Sequence, residues 1–214
     1  MTELDTSEDF LDLEDWLAGA ARNTRLVTLY ARNDLYAQIQ ELERERETIL
    51  GMSDGSLSGP DTRELDTQID ALWKTLAASK REFRVSARNQ DELQAIVEKV
   101  REEFSEQLEK EAEKGRAKGM AAARRQGVKD PREINEIVRR HAVNMEAAFV
   151  DFEAGARNIA ASTQVQNSRG EWVNLSADTV KKMYRTLGEA QMNLINDAIS
   201  RTASEAPKVT VPKS

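Results

Sequence analysis

Cysteine is absent from this 214-residue chain. That excludes disulfides, thiolate catalysis and cysteine-ligated zinc or iron–sulfur centres. Histidine occurs once, at His141, within Arg139-Arg140-His141. Glu136 precedes it by five residues, so the two fall on different helical faces and do not copy a Glu-x-x-His metal arrangement. Aromatic residues make up only 5% of the chain, and 39% hydrophobic residues face 32% charged ones. So thin an apolar supply favours elongated helices and exposed segments over a thick globular core. No apolar run approaches the ~20 residues needed to span a bilayer. A formal net charge of −7 opposes a general grip on a nucleic-acid backbone, which needs Lys and Arg against phosphates, and opposes anchoring on an anionic membrane. The acidic N-terminus is the reverse of a signal peptide's basic start, so a reducing cytoplasm is expected.

Catalytic patterns are also missing. The glycines at 51–59 lack a following Gly-Lys-Ser/Thr, and those at 115–127 lack the G-x-G-x-x-G order that cradles phosphates. Carboxylates are plentiful but alternate with bases, the pattern of a solvated, ion-paired helix surface. No catalytic, cofactor-binding or metal-binding residue is nominated, no cofactor is expected, and an enzyme is not expected.

What is present is helical periodicity. Met1 to Ala21 carries seven acids and no base, with Phe10, Leu13, Trp16 and Leu17 at spacings of three and four that give one apolar stripe. This segment (1–24) reads as an acidic amphipathic arm, lying on its own protein or docking a partner. Arg25 to Ala31 is rich in strand formers. From Asp34, Leu35, Ile39, Leu42 and Ile49 form a narrow seam. Three glycines and a proline between Gly51 and Pro60 break it, and Leu65, Ile69, Leu72 and Leu76 form a second seam. Two such seams across one short loop predict an antiparallel helical hairpin. Arg81 to Ala87 then alternates charged and apolar residues. The echo of RLVTLYARN (25–33) in REFRVSARN (81–89) predicts two strands pairing antiparallel at the hairpin base. A third helix from Asp91 carries Leu93, Ile96, Val97, Val100, Phe104 and Leu108.

Lys114 to Lys129 holds six bases, no acid and three glycines. It reads as a basic flexible linker (113–130) between a 25–112 domain and a 131–205 helical region. Lys118, Arg124 and Arg125 are its candidate nucleic-acid contacts, although no aromatic lies among them to stack on bases. Asp130-Pro131 reads as a cap with a first-turn proline, and Ser176 or Asp178 opens a last helical region that Gly188 breaks. Residues 206–214, with Pro207 and Pro212, read as an extended or disordered tail. The fold class expected is mainly α: an antiparallel hairpin, a small two-stranded β element at its base, and a C-terminal helical bundle.

Val27-Thr28-Leu29-Tyr30-Ala31-Arg32-Asn33-Asp34-Leu35, the Leu-Glu-rich helix, the Ser/Gly loop, the second helix and Phe83-Arg84-Val85-Ser86-Ala87 follow one another in an order that resembles a family. Its members are encoded near the tail genes of tailed phages of actinobacteria and are regarded as tail-assembly chaperones or tail-associated proteins. Ile159 to Ser162, Leu175-Ser176 and the ending Val211-Pro212-Lys213-Ser214 fit as well. From Gln107 to Arg140 the chain departs, with a charged Gly/Ala/Arg stretch in place of a compact proline-containing segment. The resemblance implies holding, not catalysis. The partner would be a tape-measure or other phage tail protein in the host cytoplasm, bound by homo-oligomeric copies, with no membrane involved. The candidate contacts are Phe10, Leu13, Trp16, Leu17 and Trp73, the last one residue off the Leu72 seam position. A virion structural or scaffolding protein is the alternative, and a nucleic-acid module using 114–129 a further one.

Overall fold

The computed structural model describes residues 13, 17, 18, 20, 22–51 and 61–205. The described chain is mainly helical with a small antiparallel sheet of four strands. Phe10 and Trp16 of the acidic arm, the Gly/Ser/Pro loop and the tail from 206 lie outside the described residues.

Strand β1 (Thr24–Tyr30) pairs antiparallel with β2 (Lys80–Ser86) along their whole lengths, from Thr24 opposite Ser86 to Tyr30 opposite Lys80. Alternation sends Val27, Leu29, Phe83 and Val85 to one face and Leu26, Thr28, Glu82 and Arg84 to the other. Between the strands run α1 (Asp34–Gly51) and α2 (Arg63–Ala78). Their seams meet at the buried Leu35, Ile39, Ile69 and Leu76, with Leu42 and Leu72 packed alongside.

The expected two-stranded element is in fact four-stranded, in the order β1-β2-β3-β4. β3 (Thr163–Gln166) adds to β2, and β4 (Trp172–Asn174) adds to β3. At four and three residues these strands are too short to display a period in sequence. The turn between them is held by Asn167, whose Oδ1 accepts the Arg169 and Glu171 amides at 2.8 and 3.0 Å, and by Gly170 at φ 80°.

The expectation of a flexible basic linker at 113–130 is also corrected. α4 (Ser105–Arg125) is continuous through it, and the chain turns only at Gly127, at φ 69°. The reason lies in which residues face α5 (Pro131–Ser162). Ala112, Gly115, Gly119, Ala122 and Ala123 are buried there. Small residues spaced by three and four form an apolar stripe that hydrophobicity counting misses, because its attraction is close backbone contact. A Cβ on Gly115 would come within 2.5 Å of Ala142 Cα, and one on Gly119 within 2.6 Å of Val138 Cα. The third predicted helix is two: α3 (Gln90–Glu103) ends at Phe104, where φ −108° and ψ 23° kink the chain into α4.

α5 opens as expected, with Asp130 accepting the Arg132 amide and Pro131 in the first turn. Its C-terminal half, with Ala156, Ile159 and Ala160, covers the apolar face of the sheet. α6 (Ala177–Ser204) shares that core through Val180, Met192, Ile195 and Ile199. Ser176 caps α6, and Gly188 interrupts it at φ 78° and ψ 168°, a conformation essentially reserved for glycine. α3 packs on α5 around Val100, Val150 and Ala154.

The start of α3 has a pH signature. Asn89 Oδ1 accepts the Glu92 amide at 2.8 Å while Glu92 Oε2 accepts the Asn89 amide at 3.0 Å, a reciprocal capping box. Arg22 and Arg88 each reach the Glu92 carboxylate at 2.9 Å. The Arg22 hydrogen bond above all, then the Asn89 amide, holds Glu92 down to about 2 from an ordinary 4.5. A carboxylate depressed by folding contributes its stability above the unfolded value and loses it as pH falls toward the folded one. Glu92→Gln is therefore expected to flatten the decline of Tm between pH 4.5 and about 2, measured by thermal melts across that window. An unchanged slope would show that the cap does not titrate there.

Candidate partner-docking surface

The base of the α1–α2 pair is fixed by Ser79. Its carbonyl accepts the Ala31 amide and its Oγ the Arg32 amide, each at 3.2 Å. Arg32 in turn forks onto Asp34 at the start of α1, at 3.0 and 2.9 Å. These bonds hold the first turn of α1 and the last turn of α2 side by side. Tyr36 follows the seam residue Leu35, and Trp73 follows the seam residue Leu72. Each aromatic is thereby rotated off the seam and toward solvent.

They meet edge to face, ring centroids 6.2 Å apart at 75°. Tyr36 remains 47% exposed and Trp73 41%. Beside them opens a largely apolar hollow of about 270 Å³, lined by Tyr30, Tyr36, Trp73, Leu76, Ala77 and Lys80. In a chain with 5% aromatic residues, three aromatic side chains at one exposed spot are a concentration that calls for a use. Tyr and Trp present large, stiff, amphipathic area at low entropic cost, and so dominate the energetics of protein interfaces.

The other nominated residues are scattered. Leu13 and Leu17 are exposed, at 48% and 54%, and neither lines the hollow beside Trp73. Lys118, Arg124 and Arg125 are exposed on α4. Lys114 and Arg116 are paired with Glu111 and Glu109 at 2.7 and 2.5 Å. Lys118, Arg124 and Arg125 have no ion-pair partner among the described residues. α4 itself carries no aromatic residue, so the helix that bears these cations supplies no base-stacking platform of its own.

A second concavity of about 540 Å³ lies where α5 meets the start of α6, next to Phe104. Its charges are already engaged. Lys181 Nζ lies 2.6 Å from Glu153 Oε2 and 3.9 Å from Asp178, and Arg157 lies 2.5 Å from Glu103. Glu153 is 6% exposed. Among the described residues no group of three or more His, Asp or Glu side chains is placed to hold a metal ion, and no helix is long and apolar enough to cross a membrane.

Sequence reasoning nominated Trp73 and missed Tyr36, although both carry the same signal, an aromatic immediately after a seam leucine. Comparison of the chain with protein-family models, with curated proteins and with solved structures finds no match.

Proposed function

We propose that this chain is a phage tail-assembly chaperone that holds exposed apolar helices of a tape-measure protein in the host cytoplasm during tail morphogenesis. Two things support the reading: the resemblance running from Val27 to Leu35 and from Phe83 to Ala87, and the exposed Tyr36–Trp73 pair beside its apolar hollow. The aromatic pair carries it.

A tape-measure protein is a very long helical chain with apolar stripes that aggregate until a tube closes round them. An amphipathic helix presents its apolar residues at i, i+3, i+4 and i+7, and a groove with one deep hollow engages such a row. The hollow here takes one or two such side chains, while Tyr36 and Trp73 cover their neighbours. Charged flanks on α1 keep the free chaperone soluble. Many weak copies along the tape measure, each released as tube subunits polymerise, fit a site of this small size. Binding of this kind needs no catalytic group.

The test is co-expression with the tape-measure protein of the same genome, followed by pull-down and size exclusion with light scattering. Tape measure that is soluble only in the complex is the expected result. Tyr36→Ala and Trp73→Ala should each weaken the complex by about 30-fold, since a truncated hot spot costs ~2 kcal/mol or more, and the double variant by roughly 1,000-fold where the two losses add, while Tm moves little because both rings are half exposed. A double variant that holds the tape measure as well as the natural chain would overturn the assignment of the surface. An insoluble tape measure, with this protein found instead in mature particles, would favour the structural or scaffolding alternative.

A further inference from the structure

We infer that the outer edge of β1 is an interface to a second copy of this chain, the two β1 strands pairing antiparallel across a two-fold axis at Leu26. The Tyr30 amide donates to Gln191 Oε1 of α6 at 3.4 Å, so it points away from β2. In an antiparallel strand the N–H and C=O of one residue point to the same side, and the side alternates along the chain. Thr28, Leu26 and Thr24 therefore also present their backbone groups at the outer edge. Among the described residues none of the three has a backbone partner there. Unpaired rungs of this kind are a template for another strand.

The two edges of the sheet differ in their protection. Natural edges are blunted by shortness, bulges, prolines or charges. β4 is three residues long. β1 has seven residues, no proline and no lysine, and it keeps an unbroken register with β2. Its one charge, Arg25, is taken up by Glu205 at 2.6 Å. Leu26 stands 64% exposed among the open rungs. Leu194 is 46% exposed and lies one turn on from Gln191, on the same side of α6. Open rungs and exposed leucines thus share one margin of the molecule.

The occupant follows from the order of residues along that edge. Gln191 already takes the Tyr30 amide, so the free rungs are Thr24, Leu26 and Thr28, a set that reads the same in both directions. An antiparallel copy centred on Leu26 puts leucine opposite leucine and each Thr24 opposite a Thr28, with about six ladder bonds exchanged. Centring on Thr28 would call on the Tyr30 amide that Gln191 holds. The exposed Leu26 side chain is covered by its own counterpart, and the sheet continues through both copies. Such an isologous contact satisfies both edges at once and closes, leaving no β1 free to recruit more chains. Tyr30 lines the aromatic hollow, so antiparallel pairing carries the two hollows at opposite ends, a bivalent hold on one long helical partner. That last consequence rests on the chaperone reading; the dimer does not.

The test uses the full-length chain without any partner. Light scattering and hydrogen exchange at two concentrations about tenfold apart should show a dimer at the higher one, with the Leu26 and Thr28 amides protected in step with it. Leu26→Lys places like charges directly opposite each other and should leave a monomer at both concentrations. Because Leu26 is exposed, exchange at Val27 and Leu29, bonded to β2, should stay unchanged and report an intact fold. The chain has no cysteine, so a single introduced one reports the register. Leu26→Cys should close a disulfide between copies under mild oxidation, since hydrogen-bonded partners stand about 5.5 Å apart, within the ~4.4–6.8 Å that a disulfide accepts. Thr28→Cys should not, its two copies lying about 13 Å apart along the strands. A natural chain that is monomeric at both concentrations would overturn the inference, as would a dimer that survives Leu26→Lys. Equal cross-linking by the two cysteine variants would overturn the register. Protection of Leu26 and Thr28 in a monomer would overturn the second copy in favour of a segment of the same chain.

Discussion

Replacing Gly115 and Gly119 together by alanine is expected to destabilise this protein by about 2–4 kcal/mol, although helix propensity alone argues the opposite. Alanine is ~1 kcal/mol better than glycine in a helix interior, so two exposed replacements would add about 2 kcal/mol. Here the new methyl groups have nowhere to go. One would sit 2.5 Å from both Ala142 Cα and His141 O, the other 2.6 Å from Val138 Cα. Those are backbone atoms, so no rotamer change relieves the overlap. The helices must separate, and α4 and α5 then lose dispersion contacts along the whole stripe from Ala112 to Ala123. Overpacking costs ~1–3 kcal/mol per site and sometimes more; against backbone atoms the upper part of that range applies, about 4–6 kcal/mol for two sites, which exceeds the propensity gain of about 2 kcal/mol. At roughly 2–4 °C per kcal/mol for a chain of this size, Tm should fall by about 5–15 °C. Gly155→Ala is the internal control. It lies on α5 with nothing within 4 Å of its would-be Cβ, so it should raise stability by ~1 kcal/mol. Denaturant unfolding of the two variants should move in opposite directions. Equal and favourable shifts would mean that α4 and α5 are not packed backbone to backbone.

The second large effect concerns Glu153. Its carboxylate is buried, and among the described residues its Oε2 has no partner other than Lys181 Nζ at 2.6 Å. Lys181→Ala strands that charge, and breaking a buried pair from one side costs about 3–5 kcal/mol. The neutral, apolar-stemmed double variant Glu153→Gln with Lys181→Met should recover most of the loss, because a buried ion pair stabilises little beyond what packing supplies. A double-mutant cycle by chemical denaturation at neutral pH measures this directly. If Lys181→Ala is nearly neutral, water reaches Glu153 through the adjoining concavity and the pair is not a buried one.

The legible parts of this fold were those whose signal is large side chains at regular spacing. Leu35, Ile39, Ile69 and Leu76 were readable as seams, Val27, Leu29, Phe83 and Val85 as strand faces, and Asp130-Pro131 and Gly188 as punctuation. What escaped was carried by residues without side-chain signal. Gly115, Gly119, Ala122 and Ala123 look like a linker when hydrophobicity is counted, yet the two glycines let α4 approach the backbone of α5 to within reach of a would-be Cβ, and the two alanines pack with Ile137. Thr163–Gln166 and Trp172–Asn174 pair because β2 already offers an edge, a tertiary cause that local sequence does not contain. The docking surface was half visible. Trp73 stood out by its size and its offset from the seam, whereas its meeting with Tyr36 depends on Ser79 holding two helix ends together. The Glu153–Lys181 pair joins residues on different helices, and nothing in their spacing announces it.

β2 lies in the interior of the sheet, and its position has a consequence for synthesis. β1, α1, α2 and β2 are contiguous in sequence and can assemble from local contacts as soon as they leave the ribosome. Their apolar face, however, is covered by Ile159, Ala160, Met192 and Ile195, which emerge roughly 75 to 110 residues later. At ~5–20 residues per second, the nascent β1–β2 pair carries Val27, Leu29, Phe83 and Val85 uncovered for several seconds to about 20 s. A protein whose proposed task is to shelter the apolar stripes of another chain thus passes through its own interval of need, and neighbouring ribosomes on one message hold several such faces within reach of each other.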